Sequence, residues 1–425
     1  MAVENVTGIE GQQSTFIPYT DLSFDIHNTD SSVLKLVFWI RPKWRECSQE
    51  LKIVKFTEGI TNTLLKVARH RPDVPLHEAD NDAILMRAYG NRTEIIIDRD
   101  REAVSHRLLA DRGMAPPLLG RFKNGLLYGF IPGKPCTAED LTQDRVWRGV
   151  ARKLGEWHAK VPISGISSCS SVGKTLSRNA DGCHCLNQSN GANGAIEKQR
   201  TVSSRKPSPN VWSVMQGWIS ALDTNTEKER ARKEMLQQEL ERCFQELDSS
   251  SGIGEHGFVF AHCDLLCANV IQLPSPHAPV ASNVQPVTFI DYEYATPAPA
   301  AFDISNHFAE WAGYDCDYSM VPSRPIRRGF LQEYIASYSK NANIKLDESA
   351  VENLFQDVDR WRGIPGLYWG IWSLIQAKIS AIDFDYAKYA EERLGEYFAW
   401  RGEADGSRAK QGVNMPLRER RWSED

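Results

Sequence analysis

From Leu51 the chain alternates short apolar, β-prone runs with polar breaks. LKIVKF (51–56) and TLLKVARH (63–70) flank TEGITN (57–62), which reads as a hairpin or glycine turn. AILMRAYG (83–90) predicts a third strand. Between Asp98 and Arg112, apolar Ala103, Val104, Leu108 and Leu109 recur at helical spacing, and Gly113 stops the run. GLLYGFIPGK (125–134) predicts another strand, broken by Pro132 and Gly133. Residues up to about 132 therefore predict antiparallel strands plus one helix.

Beyond that point the pattern turns helical. Leu141–Ala159 predicts a helix, and Glu227–Leu247 a charged one with an apolar face at Met235, Leu236, Leu240, Phe244 and Leu247. The charge run Glu227–Glu241 is a solvated face. FVFAHC (258–263) and VTFIDY (287–292) are short strands around a small loop, and the chain from Phe302 is mostly helical and rich in aromatics. Residues 164–210 are dense in Ser, Gly and Asn and predict a disordered insertion. The expected organisation is a flexible segment over 1–30, an N-terminal lobe over 31–132 and a helical lobe over 133–425, with roughly the last twenty residues frayed. The fold class is α+β.

With 425 residues, the chain exceeds one compact core of ordinary size. A hydrophobic share of 41% and a charged share of 25% fit a globular protein, and a net charge of -5 argues against non-specific nucleic-acid binding. The pattern predicts neither a secretory signal nor stable membrane insertion. The nine cysteines then read as reduced thiols in the cytoplasm.

The residues that point to chemistry lie in FVFAHCDLLCANVI and VTFIDYEY. His262, Asp264 and Asn269 follow a strand with the spacing His-x-Asp-x-x-x-x-Asn, and Asp291 ends the next strand. Phosphoryl transfer needs such a set: one carboxylate to accept the proton of an attacking hydroxyl, and an amide oxygen with a second carboxylate to hold Mg²⁺ on the phosphates. Asp and Asn also cap loops at strand ends, so the downstream sequence carries weight.

That sequence, IDYEYATPAPAAFDISNHFAEWAG, and then WGIWSLIQAKISAIDFDYAKYA, resemble segments of the choline/ethanolamine kinase family, over about Lys52 to Trp400. The resemblance implies a protein-kinase-like two-lobe fold, with ATP and Mg²⁺ as cofactors and binding between lobes. Carried over residue by residue, Asp264 is the catalytic base and Asn269 and Asp291 are metal ligands, with Glu293 close behind. Thr57, Gly59, Thr61 and Asn62 belong to the phosphate-covering loop. Arg87 takes the place of the phosphate-anchoring lysine, with Glu102 as its ion-pair partner. Phe130 lies in the hinge, and His262 and Asp303 support the loop. The lesser alternative for both Arg87 and Glu102 is an ordinary surface ion pair.

A small cation calls for carboxylates and aromatic faces. The resemblance puts Glu310, Trp369, Trp372 and Tyr389 around the ammonium of the acceptor. The tryptophans, three apart on one helix, could also be core packing, and Asp303 could touch substrate or serve a structural role. HCDLLCAN and FTEGITN resemble the ethanolamine branch, and Leu266 stands where choline kinases tend to carry glutamine. Ethanolamine is therefore the expected acceptor, giving phosphoethanolamine for phosphatidylethanolamine synthesis, with choline second. Cys263 departs from the Asn usual in the family. Some members dimerise, so a homodimer stays open. An aminoglycoside-type kinase should lack the EWAG and WGIW segments, and a non-catalytic scaffold should have lost Asp264, Asn269 or Asp291. Val172–Thr175 lacks the upstream glycine of a phosphate loop, and Cys183-His184-Cys185 has no second ligand pair at zinc spacing.

Overall fold

Two units make up the chain, one of Met1–Tyr89 with Pro116–Phe130 and the other of Gly90–Ala115 with Ile131–Asp425. The structure is a computed structural model that describes residues 17–56, 62–71, 75, 78, 80–90, 93–164, 209–247, 252–274, 283–380 and 382–425. Thr57, Gly59 and Thr61, nearly all of the 164–210 segment, Val172–Thr175 and Cys183–Cys185 lie outside the described residues.

The branched and apolar runs of the first unit form β1 (Tyr19–Thr20), β2 (Leu51–Phe56), β3 (Asn62–Arg69), β4 (Ile84–Tyr89), β5 (Leu118–Phe122) and β6 (Gly125–Gly129). They build one six-stranded sheet in the order β1-β5-β6-β4-β3-β2. Every neighbouring pair is antiparallel except β1 with β5. Helix α1 (Thr29–Ile40), for which no element was expected, buries Val33, Leu36 and Val37 on one face. These meet Leu65, Val67, Ile84, Met86, Ala88, Phe122 and Leu127 in the unit's core. Gly125 is required at the β4–β6 pairing, because a Cβ there would lie 2.1 Å from the Arg87 carbonyl oxygen.

The second unit contains α2 (Arg99–Ala110), β7 (Lys134–Pro135), α3 (Ala138–Thr142), α4 (Asp144–Lys160), α5 (Val211–Ala221) and α6 (Glu227–Leu247). Strands β8 (Val259–Ala261), β9 (Val270–Gln272), β10 (Val287–Phe289) and β11 (Thr296–Ala298) follow. Then come α7 (Ala300–Glu310), α8 (Arg324–Ala342), α9 (Ala350–Trp361), α10 (Ile364–Ile379), α11 (Tyr386–Ala404), α12 (Ser407–Lys410) and α13 (Leu417–Ser423). The most extensive helix pairings are α4 with α8 and α10 with α11. Gly366 lets α10 and α11 approach, since a Cβ there would stand 2.5 Å from the Arg393 carbonyl oxygen. Among the described residues no helix is long and apolar enough to cross a membrane.

Several expectations need correction. The C-terminal residues are ordered rather than frayed: α13 buries Arg418, Glu419 and Trp422. The helix expected over 141–159 is two helices, broken at Gln143. Helix α2 joins the helical unit rather than the sheet unit. Its buried face is Glu102, Ala103, Ser105, His106 and Leu109, while Val104 and Leu108 are only half-buried. On α6, Phe244 is 40% exposed and Cys243 takes the buried position, because the turn after Leu240 points Cys243 at Tyr397, whose hydroxyl lies 3.2 Å from its sulfur.

Candidate active site

The loop that carries Asp264 leaves β8, which pairs with β11, and returns into β9, which pairs with β10. Phe289 opposes Val270 at the end of the second ladder, so Asn269 and Ile290 sit just past it on neighbouring strands. The Ile290 N–H donates to the Asn269 carbonyl at 3.0 Å. Cys263 (φ 64) and Asp291 (φ 67) both take the left-handed conformation that favours Gly and Asn. These two reversals turn the chain at Asp264 and at the end of β10.

Asp303 on α7 holds the loop from behind. Its Oδ2 accepts from the His262 N–H at 2.9 Å and its Oδ1 from the Cys263 N–H at 2.8 Å. His158 Nε2 meets Oδ2 at 2.9 Å, and His158 Nδ1 meets the Tyr334 hydroxyl at 2.8 Å. Burial alone would raise the Asp303 carboxyl, but the hydrogen bond and charge of His158, with the His262 contacts, hold it below the usual aspartate range. His262 donates from Nε2 to the Ile290 carbonyl at 3.0 Å, tying the two strand ends together. Burial pulls its pKa down to about 4, so it is neutral. Asp303 and His262 thus act on the main chain of the loop.

Asp264 accepts from Asn269 Nδ2, at 2.8 Å through its carbonyl and 3.1 Å through Oδ2. Burial, then the nearby carboxylates of Asp291, Glu310 and Glu293, push its carboxyl well above the usual range. Asp264, Asp291 and Glu293 thus bring three carboxylates together near the Asn269 amide, a donor set that fits a divalent cation. Among the described residues no three His, Cys, Asp or Glu groups alone are placed to hold a metal. An ion bound here would need the Asn269 amide and oxygen ligands from outside the chain, as Mg²⁺ commonly takes from phosphates. Glu293 shares Arg99 with Glu102, each at 2.9 Å from Nη1, and Arg99 lies on the same helix as Glu102.

Glu310 ends α7, and its Oε1 accepts from Arg393 Nη2 at 3.1 Å. Trp369 and Trp372 meet edge to face at 5.4 Å. Both are buried, but neither indole N–H is left to apolar packing: Trp369 donates to Asn306 Oδ1 and Trp372 to the Tyr294 hydroxyl, both at 2.8 Å. Tyr389 contacts Tyr314 at 6.0 Å and Phe384 at 5.5 Å between ring centroids. The aromatic wall is thus larger than the residues singled out above, adding Tyr294, Tyr314, Phe384 and Tyr386. Phe384 and Tyr386 lie in the FDYAKY stretch that also holds Tyr389.

In the first unit, Asn62 opens β3 opposite Tyr89, and buried Arg87 sits mid-sheet between Leu64 and Leu126. The Phe130 ring stacks on Phe56 at 6.3 Å, with Lys66 Nζ 4.6 Å from its centroid.

The sequence profile described as choline/ethanolamine kinase matches residues 53–398. An ethanolamine kinase of Drosophila melanogaster is 34% identical over 335 residues, 76% of this chain and 55% of its own. The chain therefore spans about half the length of that relative. Ethanolamine kinase 1 of Mus musculus is 33% identical over 382 residues, 87% of this chain and 89% of its own. Among solved structures, an ethanolamine kinase of Plasmodium vivax superposes with a TM-score of 0.64 at 21% identity, covering 88% of this chain and 90% of its own. A choline kinase of Cryptosporidium parvum gives 0.59 at 20% identity, with 91% and 98% covered. The sheet unit and helical unit are those of the protein-kinase-like fold. A profile match over most of the chain, joined to relatives above 30% identity, makes this protein a member of the choline/ethanolamine kinase family.

Proposed function

We propose that this protein transfers the γ-phosphoryl group of ATP to the hydroxyl of ethanolamine, giving ADP and phosphoethanolamine. The observation that carries the reading is Asp264, buried among carboxylates beside Asn269, in a chain whose relatives are named ethanolamine kinases. The hydroxyl oxygen forms the new bond to γ-phosphorus as the bond from phosphorus to the β,γ-bridging oxygen breaks, and the hydroxyl proton passes to the Asp264 carboxylate. A carboxyl pushed upward is a better proton acceptor than an ordinary aspartate. Mg²⁺, when bound, neutralises charge on the phosphates. Asn269 and Asp291 would hold it, with Glu293 behind them.

Asn62, Arg87 and Phe130, with Thr57, Gly59 and Thr61, serve the nucleotide. The guanidinium of Arg87 suits phosphate oxygens through its fork of donors. Glu310 and the faces of Trp369, Trp372 and Tyr389 receive the ammonium. We assign the reaction to the cytoplasm, which the six described cysteines, all thiols, support. The test is ADP release with Mg²⁺-ATP, comparing ethanolamine, choline and a sugar-type acceptor. Ethanolamine giving much the highest kcat/KM, lost on chelation of Mg²⁺ by EDTA, bears the proposal out. Activity on choline alone would move the acceptor, and no activity on any amino alcohol by folded, ATP-binding protein would overturn it.

A further inference from the structure

Arg393 lies one helical turn after Tyr389 on α11, and its side chain is fully buried. Its Nη2 donates to Glu310 Oε1 at 3.1 Å and its Nε stands 3.6 Å from Glu396 Oε2. Glu310 is an awkward place for an anion. It is the last residue of α7, where the helix dipole disfavours negative charge, and it is only 5% exposed. An ionised carboxylate there needs a buried cation, and a guanidinium is one that does not lose its proton.

The pairing continues in alternating order. Glu396 faces Arg418 at 3.7 Å and accepts from the Tyr318 hydroxyl at 3.1 Å. Arg418 pairs with Glu419 at 2.9 Å, and Glu419 with Arg362 at 3.0 Å. The row runs Glu310, Arg393, Glu396, Arg418, Glu419, Arg362, passing through α13 at Arg418 and Glu419, with its negative end at the aromatic wall and its positive end just after α9. Arg393 is thus shared between two carboxylates rather than spent on cancelling Glu310.

We propose that Arg393 is a positioning residue for acceptor binding: it keeps Glu310 ionised and pinned through one oxygen, so that the other oxygen is presented to the ammonium of the amino alcohol. This rests on the reading of Glu310 as the ammonium carboxylate. The titratable and charged groups facing Glu310 are Arg393, Tyr389 and Glu396 on α11, Asp264 and Cys267 on the catalytic loop, and Tyr314 and Cys316 after α7. Of these, only Arg393 is a cation. Burial raises the Glu310 carboxyl above its ordinary value and Arg393 opposes that rise, so loss of the guanidinium raises it further and disfavours the ionised form.

The test is steady-state kinetics on Arg393→Met, Arg393→Lys, Glu310→Gln and the double variant Arg393→Met/Glu310→Gln, from about pH 6 to 8.5, where an alkylammonium stays charged. Arg393→Met should raise KM for ethanolamine about tenfold at pH 7, the effect of one lost charge-assisted contact, with KM for ATP unchanged. Its kcat/KM should climb with pH where that of the wild type is flatter, and Arg393→Lys should restore the flatter profile. In the double variant the Arg393 change should add nothing to Glu310→Gln, because it acts through Glu310. Wild-type KM and pH profile in Arg393→Met, or a further tenfold loss in the double variant, would overturn the proposal while leaving the Glu310 reading intact. An unchanged KM in Glu310→Gln would overturn both. If Arg393→Met does not fold, Arg393→Gln/Glu310→Gln against Glu310→Gln decides in the same way.

Discussion

Replacing Asp303 by asparagine changes one oxygen for an amide nitrogen and reaches the catalytic loop directly. The carboxylate accepts three hydrogen bonds: from the main chain of His262 and Cys263, and from His158 Nε2. Hydrogen bonds to a charged group are worth about 1.5–3 kcal/mol each. Asparagine offers one oxygen. If that oxygen sits at the Oδ2 position it keeps His262 and His158, and its amide then opposes the Cys263 N–H, donor against donor. If it sits at Oδ1, two bonds are lost instead. The expected destabilisation is about 2–4 kcal/mol, and about 3–6 kcal/mol for Asp303→Ala, which leaves all three donors without the carboxylate. Guanidinium titration followed by circular dichroism reads this as a lower midpoint at constant slope. Because Asp264 directly follows Cys263, kcat per folded molecule should fall more than KM for ATP rises. The sign of the pH dependence follows from the lowered Asp303 carboxyl: its stabilisation is present above the ordinary aspartate value of 3.8 and is lost as pH falls through the folded value. The gap between wild type and Asp303→Asn should therefore close in acid. A variant within about 0.5 kcal/mol of wild type and with unchanged kcat would refute this account of the loop.

Asp264→Asn should melt higher than wild type without nucleotide or metal, since the fold pushes that carboxyl well up and an ionised Asp264 costs stability at neutral pH. The same variant should lose about a hundredfold or more of kcat, and a lower melting temperature would sink the electrostatic argument. Cys263→Asn places in the left-handed position a residue that tolerates it, and scanning calorimetry should show Tm raised by about 1–3 °C with activity kept. A loss of more than about 1 kcal/mol would mean that the buried sulfur matters more than the backbone. Trp372→Leu removes one aromatic face and the donor to Tyr294, and should raise KM for ethanolamine by about two- to thirtyfold, with KM for ATP unmoved.

What the sequence made legible is local. His262, Asp264, Asn269 and Asp291 sit at the ends of short apolar strands, and two ladders a few residues long suffice to bring Asn269 beside Asp291. The function of Asp303 toward main-chain N–H groups some forty residues away has no spacing of its own, so the sequence left it open between substrate and support. Arg393 sits in EERL, which looks like a solvated helix face. It is buried because it shares the face of Tyr389 and Tyr397, four residues either side, and Gly366 lets α10 approach that face closely; its charge, not its spacing, concealed it. On α2, the apolar positions misled because Glu102 and His106 are buried with them, Glu102 pairing with Arg99 and the His106 ring packing edge-on against Tyr292 at 5.3 Å. At the C-terminus a polar composition concealed α13, whose arginine and glutamate partners are buried beside Trp422.

The alternating row from Glu310 to Arg362 also bears on how this protein can change over time. Each interior member is buried between two opposite charges, so losing one leaves its neighbours uncompensated, whereas exchanging a neighbouring pair together can be nearly neutral. Drift at positions 310, 393, 396, 418 and 419 should therefore proceed by coupled steps, and a lone change at one of them should persist only where its neighbour has changed as well. Two of its interior members, Arg418 and Glu419, lie on α13, outside the span matched by the family profile. The evolution of the acceptor end is thereby tied to a helix that the shared family pattern does not include.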